Sequence, residues 1–207
     1  MKRILWLLLL SLVLPTAVLA SSVDFTNSQG TLTGTNAGLS LSGSELIAVN
    51  GLGSLGLVTG SLGTLEFSTA ALSSGSLEMG GTFGAGGSFV ITGNGSNGIP
   101  GGVIFNGSFT GPVTWTLTTL ANGTHNYMLS GAVSGTWYNG GTVFGAMVQL
   151  SINTGTGFFN GLTKVSSGDT NISTVPEPGS LTLLGTLLGI GGIALKKRQA
   201  HRSLSSS

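Results

Sequence analysis

The chain has 207 residues, of which 37 are glycine and none cysteine, and it carries seven basic and six acidic side chains for a formal charge of +1. Glycine is roughly 18% against a usual ~7%, and charged residues are far below the usual ~25%. Without cysteine there is no disulfide framework, thiol nucleophile or cysteine-held zinc, aperiodic glycine with five prolines is not collagen, and a 40% apolar chain of low charge is not charge-driven disorder.

The chain opens with Lys2-Arg3, an apolar run from Ile4 through Leu14, Pro15 and the small-residue stretch ending Val18-Leu19-Ala20. A charged start, a short apolar stretch and a Val-x-Ala site define a secretory signal over residues 1–20, expected as a helix and cut after Ala20. The expected partners of this segment are an export translocase and signal peptidase.

Residues 21–175 read as a secreted Gly/Ser/Thr-rich β domain. Thr31, Thr33 and Thr35 share one face of an early segment. Strands are expected at Leu65–Ser68, Ser88–Thr92 and Val103–Phe105, then at 112–119 and 124–130 around Asn122-Gly123, the clearest hairpin turn in the chain. In the first of that pair Val113, Trp115 and Leu117 alternate with Thr114, Thr116 and Thr118; further on, Ala146, Val148, Leu150 and Ile152 alternate with polar residues. Asn-Gly pairs recur along the body, at 50–51, 94–95, 97–98, 106–107, 122–123, 139–140 and 160–161. No stretch has helical periodicity with caps. The fold class is therefore all-β, a glycine-rich antiparallel sandwich or barrel, with a β-solenoid as the alternative suggested by a loose Gly-Ser/Thr-Leu recurrence. The aromatic residues cluster from Phe83 to Phe159, so the first sixty residues are expected to pack less well.

The chain then reads Val175-Pro176-Glu177-Pro178, an uncharged apolar segment 179–195 and Lys196-Lys197-Arg198, followed by the tail 199–207. Seventeen helical residues span about 26 Å, close to a hydrocarbon core once basic side chains snorkel, and the basic cluster puts the tail in the cytoplasm. Taken together, Pro176-Glu177-Pro178, the apolar helix and the basic stop over 176–198 resemble the PEP-CTERM sorting signal of Gram-negative bacteria. The chain departs from that pattern only in continuing through Gln199 to Ser207. The resemblance implies export, transient inner-membrane anchoring with the body periplasmic, cleavage near the motif by an exosortase-like membrane transpeptidase, and delivery to the cell surface or medium. It also implies association with exopolysaccharide and biofilm, and the same signal stands on proteins described as ice-binding.

No enzymatic constellation emerges, and no cofactor is expected. Gly93 to Gly98 matches a dinucleotide-binding spacing, but Ile99-Pro100-Gly101-Gly102 follows where a helix must begin; like Gly51 to Gly56, it reads as a turn. His125 is the body's one histidine and reads as a polar hairpin residue. Glu45, Glu66 and Glu78 are the carboxylates a glycosidase would have to pair, and Glu66 alternates outward. A single lysine in the body, Lys164, disfavours nucleic acid. The threonine arrays, with Trp115, Trp137 and Tyr138, are the residues that could meet ordered water or stack on sugars. Removing 1–20 and 176–207 leaves Lys164 against five acids, a body charge of 1 − 5 = −4.

Overall fold

The computed structural model describes residues 22–165 and 167–173, which are all β-sheet and connecting turns. The expected signal helix 1–20 and membrane helix 179–195 lie outside the described residues. Ala20–Val175 forms one compact unit.

Thirteen strands run in order: β1 Ser22–Ser28, β2 Thr31–Thr35, β3 Gly38–Asn50, β4 Val58–Ser68, β5 Leu72–Ser76, β6 Gly80–Phe83, β7 Gly86–Asn94, β8 Gly101–Phe109, β9 Val113–Thr119, β10 His125–Trp137, β11 Thr142–Asn153, β12 Leu162–Lys164 and β13 Gly168–Ser173. All belong to one antiparallel sheet, ordered β11-β13-β1-β3-β4-β7-β8-β10-β9-β6-β5, with β2 and β12 branching from β3. A β-solenoid stacks successive coils in register at a fixed period. Here hairpin neighbours pair antiparallel and the first strand pairs the last (Ser22 with Ser173), so the solenoid alternative does not describe the sheet.

β10 organises one side. Its first half pairs β9, with Leu129 opposite Trp115, and its second half pairs β8, with Trp137 opposite Phe105. Its other edge pairs β11 for most of its length. β11 in turn meets β13 through Met147 and Ser173. The sheet is open at two places: among the described residues β5 pairs only β6, and β12 only β2. Both edges are short, and β12 carries the lysine Lys164, whose charge discourages another chain from adding to the edge.

One face of the sheet is the core. Alternate residues along β11, from Ala146 to Ile152, are buried, as are Val113 and Trp115 on β9, as the period-two pattern requires. Phe67, Phe89, Phe105 and Phe109 pack edge-on or stacked at centroid separations of 6.1 to 6.5 Å, a range favourable for aromatic pairs. The expectation that the first sixty residues pack less well is overturned: Phe25, Leu32, Leu39, Leu41, Leu46 and Val49 are all buried. Aliphatic side chains on β2 and β3 do there what aromatic ones do later in the chain.

Candidate functional site

The residues that carry the sorting resemblance, Pro176, Glu177, Pro178, Lys196, Lys197 and Arg198, and the signal-cleavage residue Ala20, lie outside the described residues. The described body offers four places where chemistry could be sought: its carboxylates, His125, two surface grooves and the threonine faces.

Glu45, Glu66 and Glu78 do not meet in a cleft. Glu45 on β3 stands opposite Thr64 on β4, and Glu66 lies two residues further along β4 on the same outward face. Glu66 is exposed, Glu45 half-buried, and Glu78 is exposed on the turn from β5 to β6. None of the three lines either groove described below. Glycosidase chemistry needs two carboxyl groups held across a cleft.

His125 is a residue of the β9–β10 hairpin, opposite Thr119, and it is buried there. It opens β10 beyond the turn and is 7% exposed. Its Nδ1 shares a hydrogen bond with the Thr119 hydroxyl at 3.0 Å, and its ring stacks on Phe158 at 4.2 Å. These contacts cover the imidazole and close the top of the β9–β10 hairpin. Among the described residues no three histidine, aspartate or glutamate side chains gather as a metal set.

The first groove, about 500 Å³, is lined by Gln29, Gly30, Thr31, Ser42, Gly43, Lys164 and Val165. Lys164 Nζ donates to Thr31 Oγ1 at 3.2 Å across it. The second, about 260 Å³, runs over β1, β11 and β13 and includes Asp24, Thr26, Gln149, Ser151, Asp169 and Asn171. Asn171 Nδ2 donates to Asp24 Oδ1 within it. The first groove carries one ammonium and the second two carboxylates.

The threonine faces are exposed as the sequence pattern requires. Thr114, Thr116 and Thr118 point outward from β9. Across the ladder they oppose Ser130, Met128 and Asn126 of β10, which in turn oppose Gln149, Ser151 and Asn153 of β11. The result is a three-strand outer surface with no charged side chain. On β2, Thr33 and Thr35 are exposed and Thr31 is half-buried.

The aromatic residues divide differently from expectation. Trp115 is not available to a ligand: it is 1% exposed, stacks on Tyr127 at 4.7 Å and donates Nε1–H to the Leu77 carbonyl. Trp137 is half-buried against Phe105 at 5.0 Å. Tyr138 alone of the three is 50% exposed. The buried polar anchor at Tyr127 leaves no signal in the residues around it. Its hydroxyl donates to the Glu78 carbonyl at 2.6 Å and accepts the Phe159 N–H at 3.0 Å, pinning two loops to the core.

The two glycine-spaced segments are turns. Gly93 to Gly98 links β7 to β8, with Gly95 and Gly98 at φ +83° and no helix following. Gly51 to Gly56 links β3 to β4. Among the described residues no helix is long and apolar enough to cross a membrane. No protein family, no curated protein and no solved structure matches the chain.

Proposed function

We propose that this is an exported, non-enzymatic surface or matrix protein, a sparsely charged β body delivered by signals at its two ends. The observation that carries the reading is the arrangement of Pro176-Glu177-Pro178, an uncharged apolar segment and Lys196-Lys197-Arg198 at one end, matched to a secretory signal at the other. In this reading the N-terminal signal is cut after Ala20, segment 179–195 arrests in the inner membrane with the basic cluster in the cytoplasm, and an exosortase-like transpeptidase acts at the Pro-Glu-Pro motif. An all-β unit over Ala20–Val175, without cysteine and without a paired catalytic constellation among the described residues, is consistent with a structural role beside exopolysaccharide. The finer architecture we assign is a rolled, barrel-like sheet, because β10 and β11 pair along most of their length and so connect the two sides of the strand order.

The test is the double substitution Glu177→Ala with Pro178→Ala. It is expected to leave the protein in the inner membrane, while the native chain reaches the surface or medium cut at both ends, as read by mass spectrometry. Unchanged surface delivery of the double variant would overturn the reading.

A second reading is favoured by one observation, the uncharged outer surface over β9, β10 and β11. Such a surface suits a neutral glycan or ordered water, with Thr114, Thr116 and Thr118 as one row of contacts. Glycan pull-down or thermal hysteresis by the native protein, lost on Thr116→Lys, would support it.

A further inference from the structure

Both ends of the body leave from one place. Ser22, which opens β1, pairs with Ser173, which closes β13. The antiparallel register puts three loops at that same end. Asp24 opposite Asn50 brings the β3–β4 loop there, Asn94 pairs Gly101 beside the β7–β8 loop, and Trp137 opposite Phe105 brings the β10–β11 loop.

Apolar side chains stand exposed around this end. Leu57 closes the β3–β4 loop at 69% exposure, Phe144 near the start of β11 is at 68%, and Val103 and Tyr138 are about half exposed. Tyr138 and Val103 are neighbours, since the Tyr138 N–H donates to the Ile104 carbonyl. Met147, 43% exposed, is the residue opposite Ser173. The charged side chains nearest this end among the described residues are two carboxylates of one groove, Asp24, which accepts from Asn171, and Asp169 further along β13. The opposite end also exposes Met79, Leu120 and Leu162. There, however, Glu78 adjoins Met79 and Lys164 shares β12 with Leu162, while the Phe158 ring is stacked on His125.

We propose that the end carrying Leu57, Val103, Tyr138 and Phe144 is a membrane-contacting surface that rests on the outer leaflet of the bilayer holding segment 179–195. This rests on the sorting reading above. From Ser173 to Gly179 is six residues, and a chain of that length reaches about 20 Å at most. The body is thereby held within roughly its own radius of the lipid headgroups, with this end towards them. An amphipathic tyrosine and exposed aliphatic and phenyl groups suit the headgroup boundary, where one side of a ring is apolar and the other wet. Attraction comes from apolar burial and the tether. A body of charge −4 gains nothing from acidic lipid, and salt screens only repulsion, so added salt is expected not to weaken the contact.

The absence of cysteine makes the test direct. Full-length chains with one introduced cysteine, Leu57→Cys, Tyr138→Cys or Phe144→Cys, are labelled with an environment-sensitive fluorophore. They are then reconstituted into phosphatidylethanolamine–phosphatidylglycerol vesicles containing brominated lipid. Met79→Cys and Leu162→Cys report the opposite end, and Gly189→Cys reports the apolar segment itself. Quenching several-fold stronger at Leu57, Tyr138 and Phe144 than at Met79 and Leu162, and not weakened by added NaCl, is the expected result. Quenching at Gly189 with none at the three body positions overturns this inference and leaves the sorting reading standing. No quenching at Gly189 overturns both. Equal quenching at both ends means unoriented adsorption. Shielding that depends on protein concentration and not on brominated lipid means a second copy occupies the surface. Either of these last two outcomes also overturns the proposal.

Discussion

At the scale of single residues, much of the fold rests on where a side chain is missing. A Cβ on Gly63 would drive into the Thr92 carbonyl oxygen of the neighbouring strand, and that residue sits at φ +150°. Gly123, in the β9–β10 turn, also has positive φ, +80°, but a Cβ there would meet nothing within 4 Å. Gly123→Ala therefore costs only backbone strain, about 1–2 kcal/mol. Gly63→Ala must also part β4 from β7 and should cost about 3 kcal/mol or more. Urea denaturation of the two variants checks the order. Tyr127 gives a second residue-scale test. Burial raises its phenol above the ordinary 10.0, with the Phe159 N–H pulling it down and Glu78 pushing it further up. Its folded pKa is thus above its unfolded one, so the contribution is complete below pH 10 and is lost as pH climbs through the raised value. Melting temperature should fall above pH 10 in the native protein, and Tyr127→Phe should flatten that fall. The same variant should lose about 1–3 kcal/mol at neutral pH by leaving the Phe159 N–H and Glu78 carbonyl without their partner.

At the scale of strands, legibility followed the regularity of the alternation. β9 begins with regular alternation and β11 alternates from Ala146 to Ile152, and over those stretches the inward faces are those that period two assigns. β3 was not legible as one thirteen-residue strand. Its burial pattern changes phase near Gly43-Ser44, where the pairing with β4 shifts register. A bulge places consecutive residues against one partner and breaks the alternation a reader counts on. Ser44 is buried there and takes a hydrogen bond from Asn27 Nδ2 at 2.7 Å, an inward polar pair that no apolar pattern signals. Trp115 failed as a binding candidate for a related reason: alternation put it inward, beside an array of outward threonines, and only the packing against Tyr127 and Phe159 says which role the ring has. The two faces of β9 and β10 should respond very differently to truncation. Leu129→Ala opens a cavity beneath β10 and should cost about 2–5 kcal/mol, whereas Thr116→Ala on the outer face should stay within about 0.5 kcal/mol. Chemical denaturation of both variants measures the contrast.

At the scale of the whole molecule, the body is a protein almost without electrostatics. Its six charged side chains are spread over the outer surface, so stability rests on the continuous core and the strand ladder. Its melting temperature should change little between about 0.05 and 0.5 M NaCl, since screening has few interactions to act on; a large shift would mean that charge matters more than the geometry indicates. The class of the fold was legible because turn residues and alternation are local signals. The order of strands was not, because pairing of β1 with β13 or β10 with β8 leaves no local trace in the residues between them.

The pairing of the first strand with the last also sets a clock. Asp24 and Asn171 are bonded across 147 residues of sequence, and closing so distant a contact is slow compared with forming hairpins. A chain threaded outward from its N-terminus can make the β3–β4 and β7–β8 hairpins early. β1 can pair β3 early, but its other edge stays open until β13 has emerged, and β13 ends only a few residues before the apolar segment. On the export route proposed above, completion of the sheet and arrest of the chain would then fall at nearly the same moment.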